Sequence, residues 1–259
     1  MIKVDCKKYA DEILEHVSQI PDKGDLMIVT TGHDPASEAY VKGKLKDAER
    51  CGIKAVKVVV DNQRMLKDVV KFANETYSVG GIIIQLPLPD GFDETECVNM
   101  VDIQKDVDGF KLWSPFLPCT PEGIMYILKK ELGDLTGKTA LVIGRGKLVG
   151  EPIAKLLLNA DCTVTVAHSK TKNMKEMLRS YHYDIIVCAA GVPELVDLLD
   201  CNASIVIDAG ISKKDGKLCG DCYNFTTNLA NRMKVATIPN GIGLMTRAML
   251  MAHVARMEV

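Results

Sequence analysis

Short apolar runs alternate along this chain with longer stretches in which apolar residues recur every three or four positions. The runs predict strands at Leu26–Thr30, Val56–Val60, Gly81–Gln85, Ala140–Ile143, Thr163–Ala167, Ile185–Cys188 and Ile205–Asp208. The longer pattern predicts helices at Asp11–Ile20, Ser37–Cys51, Met65–Tyr77, Pro121–Leu132, Pro152–Leu158, Asn173–Ser180, Glu194–Leu199 and Met245–Met257. Strand and helix in alternation argue for an α/β fold with mainly parallel sheets. The strand candidates are apolar on both faces, as strands covered by helices on both sides should be. One stretch, Gly109–Thr120, contains prolines and has no periodicity, so a domain boundary is expected there.

Within the second half, Ala140–Ile143 runs into Gly144-Arg145-Gly146-Lys147-Leu148-Val149-Gly150, and a helical pattern with Pro152 near its start follows. Strand, glycine turn and helix in that order bring backbone N–H groups to a pyrophosphate at the positive end of a helix dipole. The glycines alone would say little, since they often only make a tight turn; their placement carries the reading. The expected architecture is therefore two α/β domains with a cleft between them. Residues 1–118 plus a C-terminal helix at 243–259 form the first, and 119–242 the second, a Rossmann-type doubly wound sheet. The second strand of that unit ends in His168-Ser169-Lys170-Thr171, without the acidic residue that holds a ribose in NAD sites. A hydroxyl, a lysine and the planar fork of Arg145 suit a ribose phosphate instead, which favours NADP over NAD. The competing account is that Ser169 and Thr171 cap the next helix.

Composition excludes more than it proposes. At 259 residues with 47% hydrophobic and 25% charged residues, the chain reads as an ordinary globular protein of one or two domains. A formal charge of -2 gives no reason to expect nucleic acid or an anionic membrane as partner. No run is long enough to span a membrane, and the polar start does not read as a signal peptide, so a cytoplasmic location is expected. Of the 9 cysteines, only Cys219 and Cys222 have the spacing of a redox or metal pair. No second pair or nearby histidine completes a metal site, and no metal is expected.

Three polar features interrupt the first domain. In Ser37-Glu38-Ala39-Tyr40-Val41-Lys42-Gly43-Lys44, after the loop Thr31–Pro35, Tyr40 and Lys44 share a helical face. A lysine sheltered from water beside an aromatic ring suits a flat heteroaromatic substrate that needs a proton moved. For that spacing alone a solvated helix face is the commoner reason. Gln85-Leu86-Pro87-Leu88-Pro89 follows a buried strand, where α/β ligands bind. Asp106-Val107-Asp108-Gly109 puts two carboxylates on a turn, too few oxygens for a metal but enough for an aminopyrimidine edge.

In register with Pro118–Gly123, Gly144–Pro152, Thr163–Ser169, Val206–Ile211 and Pro239–Thr246, these features make the chain resemble one family. It is that of the bifunctional methylenetetrahydrofolate dehydrogenase / methenyltetrahydrofolate cyclohydrolases. The resemblance implies NADP-dependent oxidation of 5,10-methylene-tetrahydrofolate and hydrolysis of the product to 10-formyl-tetrahydrofolate, by a homodimer. It implies catalytic roles for Lys44, Tyr40, Gln85 and Asp108, with Gln85 bonded to Lys44 and Asp108 holding the pterin. Substrate contacts would come from Tyr40, Leu86, Pro87, Asp108, Pro239, Gly241 and Gly243. Nucleotide contacts would come from Gly144, Arg145, Gly146, Val149, Gly150, His168, Ser169, Gly191 and Ile211.

Four departures from the family pattern stand out. Gly146 replaces a serine, Asn240 a glycine and Leu244 a proline, and Gly220–Phe225 replaces a Gly-Asp-Val-Asp stretch. All lie in the nucleotide half or in the loop facing it, so they bear on cofactor preference and dehydrogenase rate. A cyclohydrolase with weak dehydrogenase activity is therefore an alternative, as is a non-catalytic folate- or nucleotide-binding subunit. Lys44 argues against the last, because binding alone has no need of it. A shikimate-dehydrogenase-like enzyme would share the two-domain plan but not the Gln85–Pro89 and Asp106–Gly109 pieces.

Overall fold

A computed structural model describes residues 1–32, 34–214, 216–226, 233–238 and 241–259, with Ala36 by its backbone alone. His33, Pro239 and Asn240 lie outside the described residues. The first elements are β1 (Ile2–Lys3), α1 (Cys6–Ser18), β2 (Asp25–Thr30), α2 (Pro35–Arg50), β3 (Ala55–Val59), α3 (Gln63–Glu75), β4 (Val79–Ile84) and α4 (Glu94–Asn99). After them come α5 (Cys119–Leu132), β5 (Thr139–Ile143), α6 (Gly150–Asn159), β6 (Thr163–Ala167), α7 (Met174–Ser180), β7 (Tyr183–Cys188), β8 (Val196–Asp197) and β9 (Ala203–Asp208). The chain ends with β10 (Ser212–Lys214), β11 (Lys217–Cys219), β12 (Cys222–Tyr223), β13 (Lys234–Ala236) and α8 (Ile242–Val254). Two compact units result: Ala10–Cys119 with Arg247–Val259, and Met1–Tyr9 with Thr120–Thr246.

The first unit holds a parallel sheet ordered β3-β2-β4. β2 is central, and its Leu26, Ile28 and Val29 are fully buried. α3 presents Leu66, Val70 and Ala73, spaced for one helical face, to Val29, Ile82 and Ile84. Burial of each large aliphatic side chain contributes roughly 1.5–3 kcal/mol. Asp106 forms a parallel bridge with Ile82, which lays the Asp106–Asp108 segment along β4.

In the second unit six parallel strands run in the order β1-β13-β9-β7-β5-β6. The chain leaves β5 in one direction to β6 and returns on its other side to β7. Doubly wound sheets bind their ligands at the carboxyl ends of strands where the order reverses in this way.

Two expectations fail. Glu194–Leu199 is not a helix: β8 lies there and pairs in parallel with β12. Its buried positions are Val196 and Leu198 while Leu195 and Leu199 are exposed, a period of two that six residues do not distinguish from a helical one. Nor are all strands covered on both faces. Val56 and Val59 of β3 and Val166 of β6 are exposed, because both strands are sheet edges.

Candidate functional site

In the first unit, α2 starts at a carboxylate. Asp34 accepts a hydrogen bond from Ser37 N at 2.9 Å, and Pro35 occupies the first turn, where no N–H is needed. The helix carries Tyr40, half-buried, and one turn later Lys44, only 3% exposed. Lys44 Nζ stands 5.2 Å from the centre of the Tyr40 ring. Between Lys42 and Lys44, Gly43 makes room for a second cation. A Cβ there would fall 1.8 Å from Nη1 of Arg247 on α8, whose Nε lies 2.8 Å from Asp47 Oδ2.

The Gln85 backbone continues the β4 ladder, its N–H donating to Val29 O at 2.8 Å. Its side-chain Nε2 donates to Leu86 O at 2.9 Å, and Oε1 is buried with no hydrogen-bond partner among the described residues. The Gln85–Lys44 bond that the resemblance implies is thus not formed. Leu86 is half-buried and Pro87 exposed, joined by a cis peptide bond.

Asp106 and Asp108 differ in their surroundings. Asp106 is 3% exposed and holds its own turn, accepting from Phe110 N at 3.3 Å and Lys111 N at 2.8 Å. Asp108 is more open. Burial nevertheless pushes its carboxyl above the usual range, a rise opposed by the charge of Lys44, added to by Asp106 and opposed again by His253. His253, buried on α8, shares a hydrogen bond of 2.8 Å between Nδ1 and Val107 O and stacks on Phe116. Lys44 and Asp108 thus belong to one electrostatic group.

In the second unit β5 delivers the glycine turn. Gly144 has φ +110°, and a Cβ on it would lie 2.3 Å from Ala189 O. A Cβ on Gly150 would meet Gly144 O at 2.4 Å, so the turn closes against itself and against the end of β7. Arg145, Gly146, Lys147 and Leu148 are exposed, Val149 is half-buried, and no side chain caps α6. At the end of β6, Thr171 Oγ1 accepts from His168 N at 2.9 Å, and His168 Nδ1 accepts from Lys170 N at 3.1 Å. Ser169 is exposed; α7 takes Asn173 as its N-cap, with no side-chain bond, so Ser169 and Thr171 do not cap it. Gly191 (φ +65°) and Ile211 are exposed, Gly241 is buried and Gly243 half-buried. Uncapped helix N–H groups, two exposed cations and no carboxylate at the β6 end fit a dinucleotide phosphate.

Sequence reading missed Arg247, Asp47, His253, Asp208 and Asp221. The first three lie on predicted helices, but only the fold brings α8 to α2 and to the Asp106–Asp108 turn. A groove of about 520 Å³ elsewhere in the second unit, lined by Thr163, Thr165, Met177 and Tyr183, holds none of the expected site residues. Among the described residues no cluster of three or more His, Cys, Asp or Glu is placed to hold a metal ion, and no helix is long and apolar enough to cross a membrane.

A small parallel sheet with a buried lysine, joined to a doubly wound sheet with a phosphate-type turn, defines a two-unit α/β protein of the nucleotide-binding class. The chain belongs to the tetrahydrofolate dehydrogenase/cyclohydrolase family. Residues 4–108 match that family's catalytic domain and 118–258 its NAD(P)-binding domain. It is 40% identical over 265 residues to the bifunctional protein FolD of Campylobacter hominis, covering 95% of this chain and 92% of that one. It is 37% identical to FolD of Agathobacter rectalis, covering 94% and 92%. The crystal structure of the bifunctional FolD enzyme from Campylobacter jejuni matches with a TM-score of 0.90 at 35% identity, covering 99% and 98%. The Trypanosoma brucei FolD structure complexed with NADP cofactor and inhibitor matches with a TM-score of 0.87 at 28% identity, covering 98% and 95%.

Proposed function

We propose that this protein oxidises 5,10-methylene-tetrahydrofolate with NADP and hydrolyses the resulting 5,10-methenyl-tetrahydrofolate to 10-formyl-tetrahydrofolate. The observation that carries the reading is Lys44. An amine 3% exposed, one turn from an aromatic ring and coupled to a carboxylate, suits proton transfer to a flat heterocycle. Membership of the family supplies the substrate class.

In the hydrolytic step Lys44 Nζ takes the proton of the water that adds to the methenyl carbon. It returns that proton to N5 of the folate as the bond from that carbon to N5 breaks, and the remaining hydroxyl proton is released to solvent, leaving the formyl group on N10. Tyr40 packs against the heterocycle, and Asp108 accepts hydrogen bonds from its aminopyrimidine edge. Asp106 is committed to its turn, which supports the choice of Asp108. Gln85 Oε1, buried without a donor among the described residues, would accept from the substrate or a water. The Gly144–Gly150 turn, Arg145 and Ser169 would hold NADP, which when bound would supply the hydride acceptor for the other step. Placement is what that step asks of the chain.

The reading carries a homodimer and a cytoplasmic location with it. Sedimentation and fractionation test these two points. Spectrophotometric assays of methenyl hydrolysis and of NADP- or NAD-dependent methylene oxidation test the activities; absence of both would overturn the proposal.

One observation favours the second reading, a cyclohydrolase with a weakened dehydrogenase. A Cβ on Gly146 would meet nothing within 4 Å, so packing does not require a glycine where the family pattern has serine.

A further inference from the structure

Two buried carboxylates in the second unit take no part in the chemistry above. Asp208, at the end of β9, and Asp221, just before β12, are both fully buried. Asp221 Oδ2 accepts from Ala190 N at 2.7 Å and Gly191 N at 3.2 Å, and its Oδ1 accepts from Val192 N at 2.8 Å. Three successive backbone N–H groups of the loop after β7 thus end on one side chain. Asp208 holds Asp221 in turn: Oδ1 accepts from Asp221 N at 3.0 Å and Oδ2 from Cys222 N at 3.1 Å. Both carboxylates fill space that glycines leave. A Cβ on Gly210 would lie 1.9 Å from Asp221 Oδ1, and one on Gly220 would lie 2.0 Å from Asp208 Oδ2.

The loop so held is not shaped by a core. Gly191 and Val192 are exposed, and Ala189 and Ala190 half-buried. Its other side meets the phosphate-type turn, since a Cβ on Gly144 would touch Ala189 O and lie 2.8 Å from Ala190 N. Burying two carboxylates is costly unless hydrogen bonds compensate. Here five backbone donors are spent on fixing a surface loop against Gly144.

We propose that Asp221, backed by Asp208, is a positioning residue for nucleotide binding. It sets the Ala189–Val192 loop against the glycine turn and so fixes the space into which the dinucleotide fits. The proposal rests on the nucleotide reading above, and hydrolysis at Lys44 provides an internal control.

The test is Asp221→Asn, which keeps the shape but turns an NH2 group toward backbone donors. NADPH affinity, followed by the nucleotide's own fluorescence, is expected to weaken about tenfold or more, roughly one unmade hydrogen bond. The cyclohydrolase rate should stay within about twofold, and Asp221→Glu should restore part of the affinity. Wild-type affinity in a folded Asp221→Asn protein would overturn the proposal. So would a parallel fall in both readouts, which would mark a purely structural role. If the variant does not fold, amide exchange of the wild-type protein decides. The amides of Ala190, Gly191 and Val192 should exchange slowly despite their loop position, and exchange at solvent rates would refute the clamp. If wild-type protein fails to bind NADPH, the nucleotide reading falls and takes this proposal with it; failure of the clamp alone leaves wild-type binding intact.

Discussion

On α2, Lys44→Met keeps the stem that packs beside Tyr40 and removes only the nitrogen. A positioned proton carrier contributes typically ~10²–10⁴-fold, so the cyclohydrolase rate should drop by about that much in a protein with unchanged circular dichroism. Retention of most of the rate would exclude the role given to Lys44. Asp108→Asn should impair both activities through folate binding, by on the order of 2–4 kcal/mol, because the amide turns a donor toward the pterin's donors. The raised carboxyl of Asp108 adds a pH signature. Its carboxylate is lost as pH falls at a higher pH than for an ordinary aspartate, near ~3.9, so the acid limb of kcat/KM should lie correspondingly higher. The placement of Tyr40 and Lys44 on one helix face and of Gln85 at a strand end was legible, because helical spacing and a strand end are local facts. Arg247 and Asp47 were not, since that pair exists only after α8 has met α2 across 200 positions of chain. Likewise nothing in Asp106-Val107-Asp108 says which carboxylate holds the turn; hydrogen bonds from Phe110 N and Lys111 N do.

The long elements were legible for a related reason. β6 carries its Thr-Val-Thr-Val-Ala run over the whole predicted range, and α3 repeats its apolar face over three turns. β8 was misread because a two-residue strand has no period of its own; its partner β12 and the Asp221 carbonyl that bonds Val196 N define it. The turn from β5 to α6 offers a prediction at this scale. Gly146 has an ordinary negative-φ backbone and open space around it, so Gly146→Ser should fold without strain. The added hydroxyl can donate to a phosphate oxygen, worth about 0.5–1.5 kcal/mol for a typical bond and more to a charged acceptor. The dehydrogenase KM for NADP should fall several-fold while hydrolysis is unchanged. In the same turn, Arg145→Ala should raise the KM for NADP far more than for NAD. Equal effects would place Arg145 on the pyrophosphate that both nucleotides share.

At the scale of the whole molecule, the carboxylates shape how stability responds to pH, and they pull in opposite directions. Burial, countered by hydrogen bonds from Asp221 N and Cys222 N, pushes Asp208 up to about 6. In the unfolded chain it titrates near ~3.9. The folded protein therefore binds this proton more tightly, and folding takes one up between roughly pH 4 and 6. The sign follows from linkage: the contribution of Asp208 is full below the unfolded pKa and is lost as pH rises through about 6. Asp184 behaves in the reverse sense. Burial raises its carboxyl, but the bonds from Thr139 N and Oγ1 bring it below the usual range, so it stabilises above ~3.9 and is lost in acid. A single melting curve against pH mixes the two. The difference between Asp208→Asn and wild type isolates the first, because the amide does not titrate. That variant should start less stable than wild type at pH 4, where Asp208 is protonated and its hydroxyl oxygen and carbonyl still serve the two N–H groups. The gap should then narrow steadily up to pH 7 as wild type pays the cost of ionising a buried group. Melting temperatures of both proteins, measured at half-unit steps in one ionic strength, read this directly. A gap that stays constant across the range would show that Asp208 is ionised throughout, and that the hydrogen bonds from Asp221 and Cys222 outweigh its burial.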